Sequence, residues 1–310
     1  MGRDLSIENP EVCFFGTTRT AGSRLWFINN PVLQKHILAY LALYQERYEV
    51  IIYAFIIMGN HYHLLARFPN ANKAAFYRDF NGIVSKLTNR HIEHYDSAKL
   101  WARRVRSQVV PRAIDVEDRF FYASLNPVGA GLVQKVSEYT GYNSFSDAIY
   151  DRRKKYQIVR RQDFEARRKC DPTVSIADFT SEHTLTFSRL PGHEALSQKA
   201  YAKWMLSELE TRRQEVIRDR LKEGKGFATR EALLNQKVGA RPRTTKTSTR
   251  TSFRPLVLTR CLETKQVCLD WYFSILSAFK SASLKFRNGA FQTDFPPGTY
   301  RPWSICRASA

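Results

Sequence analysis

The pattern of apolar and polar positions in the first half of the chain predicts alternating strands and helices. Residues 11–19 mix aromatic, β-branched and small residues and predict a strand, which residues 25–28 are expected to prolong in an extended conformation. Apolar residues then recur at helical spacing. Asn30 is expected to cap this helix and Pro31 to occupy its first turn.

The most hydrophobic stretch follows this helix. Residues 48–58 form an apolar, β-rich run that predicts a buried strand. The pair Gly59-Asn60 predicts a turn, and residues 61–68 ("HYHLLARF") are expected to pair back onto the run as a hairpin.

A second helix and a further strand complete the first half. A polar and aromatic helix is predicted over residues 71–95, and a basic strand over residues 99–110. The order strand, helix, strand, strand, helix, strand is that of the ferredoxin-like arrangement. We therefore expect an α+β fold: a ferredoxin-like antiparallel sheet with helices on one face.

The character of the chain changes in its second half, so we divide it into a domain of residues 1–150 and an extension of residues 151–310. The stretch 151–169 is dense in Lys and Arg, and residues 196–223 predict one long amphipathic helix. Residues 237–260 contain no acid and interleave cations with Thr and Ser. The extension is expected to be mainly helical, basic and DNA-binding, although a solvated linker would also explain the last stretch.

Composition narrows the class of protein. The 310 residues carry a net charge of +20, which predicts a polyanionic partner because Lys and Arg drive binding to phosphates. No apolar run reaches the roughly 18–20 residues needed to span a membrane, and no basic amphipathic segment indicates a membrane surface. The five cysteines include no CxxC pair, so a reducing cytoplasm fits.

His61 and His63 are the first candidates for chemistry. Side chains at positions i and i+2 of a strand point to the same face, so both imidazoles can bind one divalent cation while Tyr62 points the other way. The plainer interpretation is two histidines near solvent at a strand end.

A second motif follows in "DVEDRFFYASLNPVGAG". Asp115 is expected to be the N-cap of a helix on which Tyr122 and Asn126 share one face at positions i and i+4. Asn126 offers an oxygen as a third metal ligand. Tyr122 offers a phenol that, beside a cation, can attack a phosphodiester and become covalently linked to it. The alternative is that the aromatic run is ordinary core.

The motifs "MGNHYHLL" and "YASLNPVGAGLV", in this order, resemble those of the HUH-type single-tyrosine transposases, which include insertion-sequence and REP-associated tyrosine transposases. The resemblance covers about residues 10–150. It implies that His61 and His63 bind the metal, that Tyr122 is the nucleophile and that Asn126 completes the metal site.

The resemblance also implies the reaction. Members of this family cleave single-stranded DNA beside a hairpin with Mg²⁺ or Mn²⁺, leaving a 5′-phosphotyrosine and a free 3′-hydroxyl, and work as homodimers or as monomers. The chain departs from the family pattern at Gly59, Tyr62 and Gly129. The departure at Gly129, where a basic residue is common, leaves the contacts to DNA open.

We therefore predict a metal-dependent, single-strand-specific DNA endonuclease and strand transferase, without a small-molecule cofactor. Two rivals are a DNA-hairpin-binding regulator that does not cut, and a zinc hydrolase that uses the histidine pair. The residues expected to bind DNA are cations of the basic strand and of the acid-free stretch: Arg103, Arg104, Arg106, Arg241, Arg243, Lys246, Arg250 and Arg254.

Overall fold

A computed structural model describes residues 5–242 and 255–302 of the chain. Its centre is a four-stranded antiparallel sheet whose strands lie in the order β2-β3-β1-β4. The strands and the two helices between them are β1 (Cys13–Arg19), α1 (Pro31–Tyr48), β2 (Ile51–Met58), β3 (His61–Arg67), α2 (Lys73–His91) and β4 (Arg106–Val110). This order of elements and strands is the predicted ferredoxin-like topology, which is confirmed.

The start of α1 follows the sequence prediction. The Asn30 side chain accepts a hydrogen bond from the Leu33 amide at 2.9 Å, and Pro31 is the first helical residue. The helix buries its apolar stripe against α2 and the sheet. Residues 26–29, by contrast, form a turn, so the expected extended segment 25–28 does not form; within the turn the Phe27 amide donates to the carbonyl of Gly59.

The two faces of the sheet are covered by different elements. On one face, Tyr62 contacts the ring of Phe80 from α2 and donates a hydrogen bond to Asn81, so α1 and α2 lie there together, as predicted. The other face meets α3 (Ala113–Ser124), whose Tyr122 contacts Phe15 of β1. His61 and His63 point to this second face because they alternate with Tyr62.

The predicted start of the third helix was wrong. Helix α3 begins at Ala113 after Arg112, which has extended backbone angles, so Asp115 lies inside the first turn and is not the N-cap. Its carboxylate instead accepts two hydrogen bonds from the Arg112 guanidinium, at 2.9 and 3.1 Å. The basic strand is also shorter than predicted, since β4 begins only at Arg106.

The extension is helical and also contains a two-stranded antiparallel sheet that the sequence pattern did not indicate. Its long helix, predicted over residues 196–223, runs from Gln198 to Lys222. Tyr201 and Met205 of this helix join the same hydrophobic core as the central sheet. The remaining elements are α4 (Asn126–Gly129), α5 (Phe145–Ile149), β5 (Lys154–Val159), α6 (Arg161–Cys170), β6 (Thr180–Leu185), α7 (Gln198–Lys222), α8 (Arg230–Leu234) and α9 (Leu262–Arg287), with 3₁₀ turns at Ala21–Ser23, Val136–Glu138 and Ile176–Phe179.

The division between residues 1–150 and 151–310 stays a prediction. Within the two described ranges, the helices are too short or too polar for any of them to cross a bilayer.

Candidate active site

Two imidazoles lie side by side on β3, with 4.8 Å between the ring centroids of His61 and His63. Each ring is held through its Nδ1 atom. Nδ1 of His63 lies 2.9 Å from the Thr17 hydroxyl on the neighbouring strand, and Nδ1 of His61 lies 2.6 Å from Oδ1 of Asn60. Partners of this kind orient a metal-binding histidine, because they leave its Nε2 atom facing the ion.

The Nε2 atom of His63 supports that assignment. It is buried and has no hydrogen-bond partner among the described residues, which is costly for a polar atom unless a ligand satisfies it. Assigning the Nδ1 protons to the contacts with Thr17 and Asn60 gives both rings a free lone pair on Nε2. The two nitrogen atoms therefore suit a divalent cation.

Both histidines stay uncharged at neutral pH. Burial is the main cause that lowers the pKa of His63 to about 3, and the positive charge of Arg19 adds to it. Burial also holds the pKa of His61 well below its usual value, with further contributions from His63 and Arg19. A neutral imidazole is the form that binds metals, so the site is ready to bind without losing protons.

Tyr122 is brought to the same place by α3. Its ring lies edge-on to His63, with 6.1 Å between centroids, and edge-on to Phe15, with 5.8 Å between centroids. The side chain is 49% exposed, whereas the neighbouring Phe120 and Phe121 are fully buried in the core. The alternative of an all-core aromatic run therefore holds for the two phenylalanines, and Tyr122 presents its phenol to solvent.

Asn126 lies beyond the end of α3, the helix that carries Tyr122. Helix α3 ends at Ser124, Leu125 interrupts the regular angles, and Asn126 begins the short helix α4. The Asn126 side chain is half-buried, and in the described part of the chain it makes no hydrogen bond to His61 or His63. Its role as a third ligand thus stays a prediction.

The candidate metal ligands His61, His63 and Asn126 carry no negative charge. No group of three or more His, Cys, Asp or Glu side chains is gathered anywhere in residues 5–242 or 255–302. A cation at His61 and His63 would therefore need oxygen ligands from the Asn126 amide, from water or from the substrate. This fits a loosely held Mg²⁺ or Mn²⁺.

The predicted DNA-binding cations are spread over several places. Arg103 and Arg104 are exposed in the bend before β4. Arg106 pairs with Thr17 across β4 and β1, which puts it on the histidine face of the sheet. Arg241 is exposed, with its guanidinium near Gly22. The other predicted cations lie outside the described residues: Arg243, Lys246, Arg250 and Arg254.

The sequence analysis missed the residues that surround the histidines. Thr17 and Arg19 lie opposite His63 and His61 in the β1–β3 register. Side chains of the predicted strand 11–19 must alternate between the two faces of the sheet, so the sequence already placed Thr17 and Arg19 on one face. Which residues of β3 they lie opposite depends on the register of the folded sheet. Arg119 was missed as well; its guanidinium carbon lies 5.3 Å from the centre of the Tyr122 ring.

The fold and the site define an α+β domain of the ferredoxin-like type that presents a His-x-His pair and a tyrosine on one face of its sheet. Residues 20–117 match the model of the family described as "Transposase IS200 like". Residues 20–117 are therefore similar to IS200-like transposases, as the motifs indicated. The matched range contains His61 and His63 and ends before Tyr122.

Solved structures include one that is similar to this chain and is described as "Structure of the REP associates tyrosine transposase bound to a REP hairpin". The sequence identity is 15% and the TM-score 0.39, over 47% of this chain and 84% of the other. No curated protein sequence matches the chain.

Proposed function

We propose that the protein is a metal-dependent single-stranded DNA endonuclease and strand transferase that acts at DNA hairpins through a tyrosine nucleophile. The observation that carries the proposal is the contact between Tyr122 and His63, because it joins an exposed phenol to an imidazole with an unsatisfied Nε2 atom. The match of residues 20–117 to the IS200-like transposase family supports transposase chemistry on grounds other than this contact.

In the proposed reaction, the Tyr122 oxygen attacks the scissile phosphorus. A bond between this oxygen and phosphorus forms while the bond from phosphorus to the 3′ oxygen breaks. The phenol proton goes to solvent, and the departing 3′ oxygen takes a proton from solvent. The products are a 5′-phosphotyrosine and a free 3′-hydroxyl, and attack by another 3′-hydroxyl reverses the step and joins two strands.

His61 and His63 would hold Mg²⁺ or Mn²⁺, with the Asn126 amide oxygen as a further ligand. The bound ion would polarise the scissile phosphate and neutralise its developing charge. The chain itself contributes the placement of the phenol: α3 packs Phe120 and Phe121 into the core, which fixes the helix and leaves Tyr122 beside the histidines.

The histidine face also carries positive charge that suits a DNA strand. Arg19 and Arg106 are both on this face, opposite His61 and Thr17 in their registers. Cations of this kind bind phosphates without reading bases. Recognition of a particular hairpin would then depend on other parts of the basic chain.

The experiment is a denaturing gel of the protein with a labelled single-stranded DNA that contains a hairpin, in Mn²⁺. We expect a covalent protein–DNA adduct with the wild type and none with Tyr122→Phe, which should still bind the hairpin within a few-fold because only a hydroxyl is removed. Adding an acceptor strand with a free 3′-hydroxyl tests strand transfer.

The other outcomes separate the rivals. A shifted band on a native gel without any adduct would support a hairpin-binding regulator. Strand hydrolysis without an adduct would support a hydrolase. An adduct of undiminished yield in Tyr122→Phe, mapped to another tyrosine, would overturn the assignment of the nucleophile.

A further inference from the structure

Arg119 lies three residues before Tyr122 on α3, so the two side chains share one side of the helix. The guanidinium carbon lies 5.3 Å from the centre of the Tyr122 ring. A cation at this distance interacts favourably with the ring. It also places a fixed positive charge beside the phenol that the proposed function uses.

The acidic neighbours of Arg119 are already paired with other cations. Asp115 accepts two hydrogen bonds from Arg112. Asp118 lies 2.8 Å from a guanidinium nitrogen of Arg212 and 3.5 Å from one of Arg260. Arg119 makes no ion pair within residues 5–242 and 255–302, and its Nε atom is buried there without a hydrogen-bond partner. Among the described residues, therefore, no carboxylate forms an ion pair with Arg119.

Arg119 borders a cavity of about 140 Å³ that α3 forms with residues 257–260, and Asp115 and Asp118 also line this cavity. The planar guanidinium of an arginine beside an open space can bind two oxygens of one phosphate at once, which a lysine cannot do.

We propose that Arg119 is a catalytic residue that binds the scissile phosphate as Tyr122 attacks it. The proposal rests on the proposed function. Charge builds up on the phosphate oxygens in the transition state, and a guanidinium already placed beside the nucleophile stabilises that charge. The simpler alternative is a surface arginine that only stacks on Tyr122 and adds to stability.

The test compares Arg119→Gln, Arg119→Lys and Arg90→Gln, a control that removes the same charge from the exposed surface of α2, the helix on the opposite face of the sheet. Adduct formation is measured in a single turnover at saturating hairpin DNA in Mn²⁺. We expect Arg119→Gln to slow the step about 10²-fold, Arg119→Lys to be intermediate, and Arg90→Gln to match the wild type.

A second substrate separates catalysis from structure. A methylphosphonate at the scissile position removes the negative charge that Arg119 is proposed to meet. The gap between wild type and Arg119→Gln should shrink to a few-fold on this substrate. Thermal unfolding is followed for each variant, and if Arg119→Gln does not fold, the same comparison is made with Arg119→Lys.

Two results would overturn the role of Arg119: adduct formation by a folded Arg119→Gln at the wild-type rate, or an equal gap on the charged and the neutral substrate. Failure of the wild type to form any adduct would instead refute the proposed function.

Discussion

The ring of Tyr122 stands edge-on to the imidazole of His63, with 68° between their planes. The two residues are far apart in the sequence and belong to different elements, a helix and a central strand. Their contact links the tyrosine motif to the histidine motif. If Tyr122 cleaves DNA, this contact predicts that the cleavage depends on a metal ion at the histidines.

Removal of the metal or of either histidine is expected to abolish cleavage. His61→Ala and His63→Ala each delete one of the two nitrogen donors, and EDTA should have the same effect on the wild type. The measurement is adduct formation across an Mn²⁺ titration. His91→Ala is a matched control, because His91 stacks on His36 between α1 and α2, away from the site. Full cleavage by the wild type in EDTA would rule the metal out.

The buried His63 predicts a loss of stability in acid. Its pKa is about 3 in the folded protein and about 6.5 when unfolded, so below pH 6.5 the unfolded state binds the extra proton. The stability is complete above pH 6.5 and falls as the pH drops toward 3. His63 alone is expected to remove about 3 kcal/mol from the free energy of unfolding by pH 4.

The measurement is urea unfolding in EDTA between pH 7 and pH 4. Replacement of His63 by Gln, which does not titrate in this range, should make the pH dependence shallower. The same slope in both proteins would show that other groups cause the acid sensitivity.

Arg212 of α7 is expected to hold the helix that carries Tyr122. Its guanidinium donates to Asp118 at 2.8 Å and to Glu117 at 3.3 Å, and it lies over the ring of Phe121. Arg212→Ala should lower the free energy of unfolding by about 2 kcal/mol, because the partly buried carboxylates lose their partner. Denaturant unfolding checks this, with the exposed Arg218→Ala on the same helix as control. Equal losses in both variants would contradict the role.

The acid-free stretch 237–260 is expected to contact the DNA backbone. The combined replacement of its arginines at positions 241, 243, 250 and 254 by Ala should weaken hairpin binding and flatten its salt dependence by about 0.7 per lost phosphate contact. A control variant instead replaces the four cations of α6 by Ala, namely Arg161, Arg167, Arg168 and Lys169. An unchanged slope in the first variant would mean that the stretch is a linker, and a flatter slope in the second would shift the contact to residues 151–169.

The covered edges of the central sheet predict that it does not dimerise by joining strands. Residues 142–144 pair with β2, where the Ile57 amide donates to the Tyr142 carbonyl at 2.9 Å. Residues 256–258 pair with β4, where the Leu258 amide donates to the Val109 carbonyl at 2.8 Å. Because neither edge offers a free row of amides at these places, we expect a mass of 36.0 kDa in light scattering at micromolar concentration. A mass of twice that value would require an interface elsewhere or a displaced segment.

The local pattern of the sequence was sufficient for the elements and for the shared face of the histidines. The Asn30 cap, the hairpin at Gly59-Asn60 and the alternation of His61, Tyr62 and His63 all depend on neighbours within a few residues. Their geometry follows from the periods of strand and helix, so the ferredoxin-like order could be predicted. The same local reasoning placed the start of α3 wrongly: the helix begins at Ala113, and the Asp115 carboxylate accepts hydrogen bonds from the Arg112 guanidinium instead of capping the helix.

The tertiary structure decided what surrounds the two motifs. That Thr17 meets His63 and that Arg19 lies opposite His61 depend on the register of β1 against β3, and a shift by one residue would turn these side chains to the other face. The contacts of Arg212 with α3 join elements far apart in the chain. Such pairings follow from how the whole core packs, and therefore no spacing within one segment of the sequence contains them.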